Sequence, residues 1–219
     1  MQPIDALSHS WLSEGSVGRS FEPSRIQEVL SAVSAANEQI LVALRESAFR
    51  NEPTFPLPAL VRRRFIEISR AQLREVATCG ALLVDVRFAD TGSWRSIAHA
   101  SEEPADDRRG RVASDQCVAL AYGVLAVVWY VVQATPVAAG LLLGMSTAVV
   151  KEFERLGVGK LGFVARSHPN WVQPRWSDRA DVWMDILQTD GRLPPALRRC
   201  LRAAAARSPG LLSIIERST

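Results

Sequence analysis

The sequence predicts a mainly α-helical protein made of two copies of one small module, joined head to tail, and three observations carry that prediction. The first is an internal repeat. Ile68–Asp90 (ISRAQLREVATCGALLVDVRFAD) aligns without a gap on Leu156–Asp178 (LGVGKLGFVARSHPNWVQPRWSD), a shift of 88 positions that takes Leu73 to Leu161, Val76 to Val164 and Arg87 to Arg175. Continued backwards it takes Phe65 to Phe153 and Val61 to Val149. A repeat this long describes domains or half-domains rather than solenoid units. The second observation is helical periodicity, with Ile26, Val29, Val33, Ala36, Ile40, Leu41 and Leu44 recurring at steps of three and four. The third is a stretch without any charge, from Gln116 to Val150.

Composition bounds the class. The chain has 219 residues, 47% of them hydrophobic and 22% charged, with a formal net charge of +3. That is enough to bury a substantial core, and the mild basic excess is compatible with nucleic acid without demanding it. Cys79, Cys117 and Cys200 are isolated from one another, as are His9, His99 and His168, so neither a zinc site nor a disulfide framework is expected. No cofactor is implied, and the cysteines read as thiols of a reducing cytoplasm. Residues 1–16 lack a basic stretch followed by an apolar run, so no signal peptide is expected.

The elements follow in order. Residues 1–22 read as a loose arm. Ser24 is a helix cap, and the apolar stripe extends that helix to about Phe49, where Pro53, Pro56 and Pro58 break it. A second helix covers Ala59–Ile68, and a third begins at Ser69 or Arg70 and stops at Cys79-Gly80. Ala81–Phe88 reads as a strand, followed by a turn at Asp90-Thr91-Gly92. The first copy is thus 23–98. Residues 99–115, polar and charge-mixed, read as the linker to a second copy at 116–188. There, helices are expected over Cys117–Gln133, Thr135–Leu143 and Ser146–Leu156, then Gly159–Arg166, an extended Trp171–Trp176 and a helix over Asp178–Leu187. In the remainder, 189–219, Pro194–Arg207 forms a basic amphipathic helix.

The uncharged stretch has two readings. Cys117–Val132 approaches the length of a membrane span, which needs about 20 apolar residues. Alternatively it is a soluble helix buried on every side, as the charged counterpart Glu28–Arg62 in the first copy suggests.

Thr135–Phe153 has the spacing of a helix-turn-helix, with Thr135 and Pro136 opening it, small Gly140 at a helix crossing and Gly144 at the turn. The helix after the turn offers Lys151 and Arg155 on its outer face. The matching helix of the first copy holds Arg62, Arg63 and Arg64, the strongest phosphate or base-edge candidates in the chain. Arg198, Arg199 and Arg202 are outlying phosphate candidates. The pairs Arg87/Asp90 and Arg175/Asp178 read as structural ion pairs, and Trp171, Trp176 and Trp183 as core. No arrangement of nucleophile, base and orienting group marks an active site, so no enzyme is expected.

Leu143-Gly144-Met145-Ser146, Phe153, Leu156, Leu161, Val164-Ala165, Trp171-Val172 and Arg175-Trp176 resemble, at the same spacing, the core of the FlhD family, subunits of a flagellar master transcription activator. Ile68, Leu73, Val76-Ala77, Leu82–Val84 and Arg87-Phe88 resemble it more weakly. The resemblance covers 28–97 and 116–187. It implies a helical protein that works as an intertwined dimer, joins a zinc-binding FlhC-like partner and acts on promoter DNA, with RNA polymerase as a further partner. Two tandem copies would make an intramolecular pseudo-dimer that is cytoplasmic and independent of membrane. The first copy departs from the pattern, with Phe55-Pro56-Leu57-Pro58 where the second has Leu143–Ser146, so the helix-turn-helix form is expected once. The non-DNA alternative is an adaptor of a secretion apparatus.

Overall fold

The computed structural model describes residues 23–52, 55–100 and 114–188. The protein is mainly α-helical. Helix α1 spans Pro23–Arg50, α2 Ala59–Glu67 and α3 Arg70–Ala77. After the two-residue strand β1 (Val84–Asp85) comes α4, Thr91–His99. Helix α5 covers Asp115–Ala134, and the short α6 (Pro136–Ala138) continues as a π-helical segment, Ala139–Leu143. Then follow α7 (Thr147–Arg155), α8 (Gly159–Ser167), a 3-10 turn at Pro169–Trp171, β2 (Gln173–Pro174) and α9 (Ala180–Gln188).

Local sequence explains the ends of these helices. Helix α1 stops because Asn51 takes a left-handed backbone at φ 52°. Its N–H reaches Ala48 O and the next N–H, of Glu52, reaches Ser47 O, the double bond that closes orphan carbonyls at a helix end. Ser69 and Gln72 cap α3 reciprocally, each side chain accepting from the other's backbone N–H. Ser146 caps α7 through Val149 N, and Asp90 caps α4 through Ser93 N.

Helices α1 and α5 form the centre and run antiparallel. Gln116, at the start of α5, donates to Glu46 near the end of α1, while Tyr130 donates to Glu28 at the opposite ends. Helix α1 buries Ile26, Val29, Val33, Ile40, Leu41 and Leu44 along one stripe, as the periodicity predicts. Helix α5 corrects the expectation of burial on every side. Ala121, Val124, Leu125, Val128, Val131 and Val132 are buried, whereas Val118, Leu120, Val127 and Trp129 are half-buried and Tyr122 is exposed. By length and composition it remains a helix that could cross a membrane.

The two extended segments meet each other. Strands β1 and β2 pair antiparallel, Val84 with Pro174 and Asp85 with Gln173. Two further backbone bonds cross nearby, Arg175 N to Leu83 O and Leu82 N to Leu142 O. The predicted strand over Ala81–Phe88 is therefore mostly irregular backbone, kept dry by burial of Ala81 to Val86 apart from Asp85. Buried Asn37 makes this possible. It donates to Ala77 O and Ala81 O and accepts from Leu83 N, supplying partners the missing ladder would have provided.

The last helix before residue 100 was not expected. Asp90-Thr91-Gly92 is the first turn of α4 rather than a loop. Helices α4 and α9 are packed in a crossed manner. Trp94 of α4 lies against Phe153 of α7, ring centroids 4.3 Å apart, and Trp183 of α9 lies against Phe65 of α2 at 5.8 Å. Each indole N–H donates to a backbone carbonyl eight residues back, Trp94 to Val86 O and Trp183 to Arg175 O.

Matched features in this part of the chain are offset by one more residue than the sequence alignment implies. Arg87 and Trp176 both have left-handed backbones, at φ 51° and 52°, and each carbonyl accepts from the residue three later, Asp90 and Arg179. Arg87 thus corresponds in conformation to Trp176, not to Arg175. The expected pair Arg87–Asp90 forms at 3.4 Å, but Arg175 turns inward and Arg179 pairs with Asp181 instead. Trp171 and Trp183 are core, whereas Trp176 is half-buried beneath the Arg175 guanidinium at 4.7 Å.

Candidate nucleic-acid interface

Two helices carry the described basic candidates. On α2, Val61 and Phe65 point into the core, which turns Arg63 outward and leaves Arg62 and Arg64 half-buried. Each has a local partner. Arg62 donates to Asn51 Oδ1 at 3.1 Å, Arg63 bonds Glu67 at 3.3 Å, and Arg64 lies 3.9 Å from the same carboxylate. One carboxylate of the same helix, Glu67, therefore offsets part of the triplet's charge, while Arg62 is held by a neutral amide. Exposed Leu60 and Ile66 flank the triplet.

On α7, Val149, Val150 and Phe153 are buried, and Lys151, Glu154 and Arg155 are exposed. The turn ahead of it is specified twice. Gly144 has φ 68°, a conformation that favours glycine, and a Cβ there would collide with the Arg175 guanidinium. Arg175 Nη1 donates to Leu82 O at 3.2 Å. Burial pulls this guanidinium below its ordinary pKa, and nearby Asp85 opposes the shift. The residue joins both extended segments to the turn that opens α7.

Glu152 is the unforeseen member. It is 4% exposed, and its Oε2 lacks a hydrogen-bond partner. Arg95 Nε bonds its Oε1 at 3.1 Å, while His99 Nε2 and Arg155 Nη1 lie 3.5 and 3.8 Å from Oε2. Two of these partners come from α4, so the ion cluster ties α4 to α7. Lys160 of α8 completes the clamp, donating to Ile97, Ala98 and Ala100 carbonyls at the C-terminal end of α4. The sequence reading expects only a turn at 90–92 and a linker from 99, so it assigns Arg95 and His99 no role. The signal for α4 was present in Asp90 followed by Ser93, a cap and its first turn.

Beside this cluster, His168 stacks on Trp171 at 4.3 Å and the Arg87 guanidinium lies 5.0 Å from the same ring. Burial, then the charge of Arg87, holds His168 below its ordinary pKa. Cys79 is buried, and that burial pushes its thiol up to about 11, which makes it inert as a nucleophile. Arg198, Arg199 and Arg202 lie outside the described residues.

No protein-family model, curated protein or solved structure matches the chain.

Proposed function

We propose that the chain is an intramolecular pseudo-dimer of two FlhD-like copies and serves as a cytoplasmic subunit of a transcription regulator, acting on promoter DNA with an FlhC-like zinc protein. The observation that carries this reading is the crossed packing of the two aromatic pairs. Phe65 and Phe153 are 88 positions apart and Trp94 and Trp183 are 89 apart, yet each tryptophan packs on the phenylalanine of the other copy. The antiparallel α1–α5 pair and the reciprocal register of β1 and β2 agree with the same approximate two-fold relation. An exchanged helix is how two copies of one module become intertwined.

Within this reading, the segment Thr135–Phe153 is the helix-turn-helix. Arg62, Arg63, Arg64, Lys151 and Arg155 contact DNA, and Arg198, Arg199 and Arg202 make outlying phosphate contacts. Helix α5 serves as the apolar seam between the copies. The alternative, an adaptor without DNA, draws on the pairing of Arg63 and Arg64 with Glu67, which lowers the positive charge of α2.

Affinity purification of the full chain from its host, without detergent, tests the proposal when followed by mass spectrometry and binding to the promoter fragments recovered with it. Co-recovery of a zinc-binding regulator, with or without RNA polymerase, is the expected result. Recovery of secretion components, or of the bait in the membrane pellet, would overturn it.

A further inference from the structure

We propose that the DNA-contacting surface around α7 is composite, with Arg95 of α4 joining Arg155 and Lys151, and that buried Glu152 is the residue that positions Arg95 and Arg155. This rests on the reading of the chain as a DNA-binding subunit and deepens it by assigning a phosphate contact to a helix of the other copy.

Burial supplies the first step. A carboxylate enclosed between two helices requires compensating charge. Glu152 receives it from two guanidiniums that are themselves outward-facing: Arg95 and Arg155 are 64 and 62% exposed, against 5% for the Glu152 side chain. The acid faces in and its partners face out.

Geometry supplies the second. A guanidinium carries five N–H donors in a planar fork. Arg95 commits Nε to Glu152, which leaves both Nη groups at the outer end of the fork. An arginine tied to an immobile carboxylate loses little further rotamer freedom when a phosphate arrives, so less of the binding energy is spent on ordering it. Arg63 is different, because its bridge to Glu67 is open to solvent at both ends, 80 and 51% exposed. A pair of that kind is weak and fixes little. Lys151 and Arg155 share α7 with the exposed acid Glu154, so the fixed cation from α4 shifts the balance of this surface toward phosphate.

The surface occurs once. At the position of α2 that matches Glu152 stands Arg64, and at the position of α9 that matches Arg95 stands Met184. The ligand class is therefore a phosphate backbone read along one face, the sequence-independent part of duplex recognition.

The test is fluorescence anisotropy of a labelled random-sequence DNA duplex titrated with the full chain across a KCl series. Thermal melts accompany each variant. For Arg95→Ala and for Arg155→Ala, the slope of log K against log salt is expected to fall by about one unit each. Arg95→Lys should retain the slope. Glu152→Gln should weaken binding several-fold at an unchanged slope, an outcome that a purely structural role, read only in melting temperature, would not produce. Should Arg95→Ala fail to fold, Arg95→Gln decides the matter, since it removes the same charge with less loss of side-chain volume. An unchanged slope for the Arg95 variant would overturn the composite surface and leave the DNA reading to α2 and α7. Absence of any salt-dependent duplex binding by the unsubstituted chain would remove both.

Discussion

Gly144 and Asn37 show how single residues here do work that regular structure would otherwise do. At Gly144 two independent demands coincide, a left-handed backbone and the guanidinium of Arg175 against its α-carbon. Gly144→Ala should therefore destabilise the protein by about 1–3 kcal/mol, measured by urea denaturation. Part of that cost belongs to the contact rather than the backbone, so it should shrink when Arg175 is also replaced by alanine. A strictly additive double-mutant cycle would show that Arg175 is not the obstacle. Asn37 is read differently. It sits on the apolar stripe of α1 at 0% exposure and serves three backbone groups of the Ala77–Leu83 segment. Its match in α5 is Leu125, yet Asn37→Leu is expected to be costly. Each buried backbone group left without a partner costs roughly 1–3 kcal/mol. Faster hydrogen exchange at Leu83 N–H is the specific signature, and unaltered exchange there would argue against the role.

Among elements, the long helices and α7 were legible because their signals are local: apolar steps of three and four, a serine cap, a glycine turn. Helix α4 was not. Its apolar content reduces to Trp94 with half-buried Ile97 and Ala98, and it is held by Glu152 and Lys160, charges on other elements that no window of sequence can display. The strand over Ala81–Phe88 is mostly irregular for the same reason, its ladder to β2 being short and its other hydrogen bonds going to Asn37 and Leu142. The sequence put Arg63 on α2 and Lys151 and Arg155 on α7, where they are exposed, and gave no sign of Arg95 and Glu152. Helix α4 also carries a pH dependence. Hydrogen bonds from the Ser93 backbone and hydroxyl, with Arg87 nearby, hold the Asp90 carboxyl below its ordinary value of 3.8. A depressed carboxylate contributes stability that is fully present above the unfolded pKa and is lost as pH falls through the folded one. The melting-temperature gap between the unsubstituted chain and Asp90→Ala should accordingly be widest near neutrality and close in acid below that value. A gap independent of pH would mean that the carboxylate charge contributes nothing to the cap.

For the whole molecule, the crossed helices make a strong claim about cooperativity. Under the proposed pseudo-dimer, neither copy owns a complete core: Phe153 and Trp171 are covered by Trp94, and Phe65 by Trp183. Removing a large buried aromatic costs about 3–5 kcal/mol. If the copies were independent domains, Trp94→Ala would lower the transition of one and leave the other where it was. With exchanged helices the same substitution strips the second copy of its cover, so both copies lose stability together. Trp94→Ala and Trp183→Ala should therefore each shift one single thermal transition, seen identically by far-ultraviolet circular dichroism and by tryptophan fluorescence. Residues 23–100 and 114–188, produced separately, should be poorly structured alone and gain helix when mixed, because each supplies the aromatic that the other lacks. Two resolved transitions in the intact chain, or a stable fold in either piece by itself, would show that the exchange is not what holds the molecule together, and the pseudo-dimer reading would fall with it.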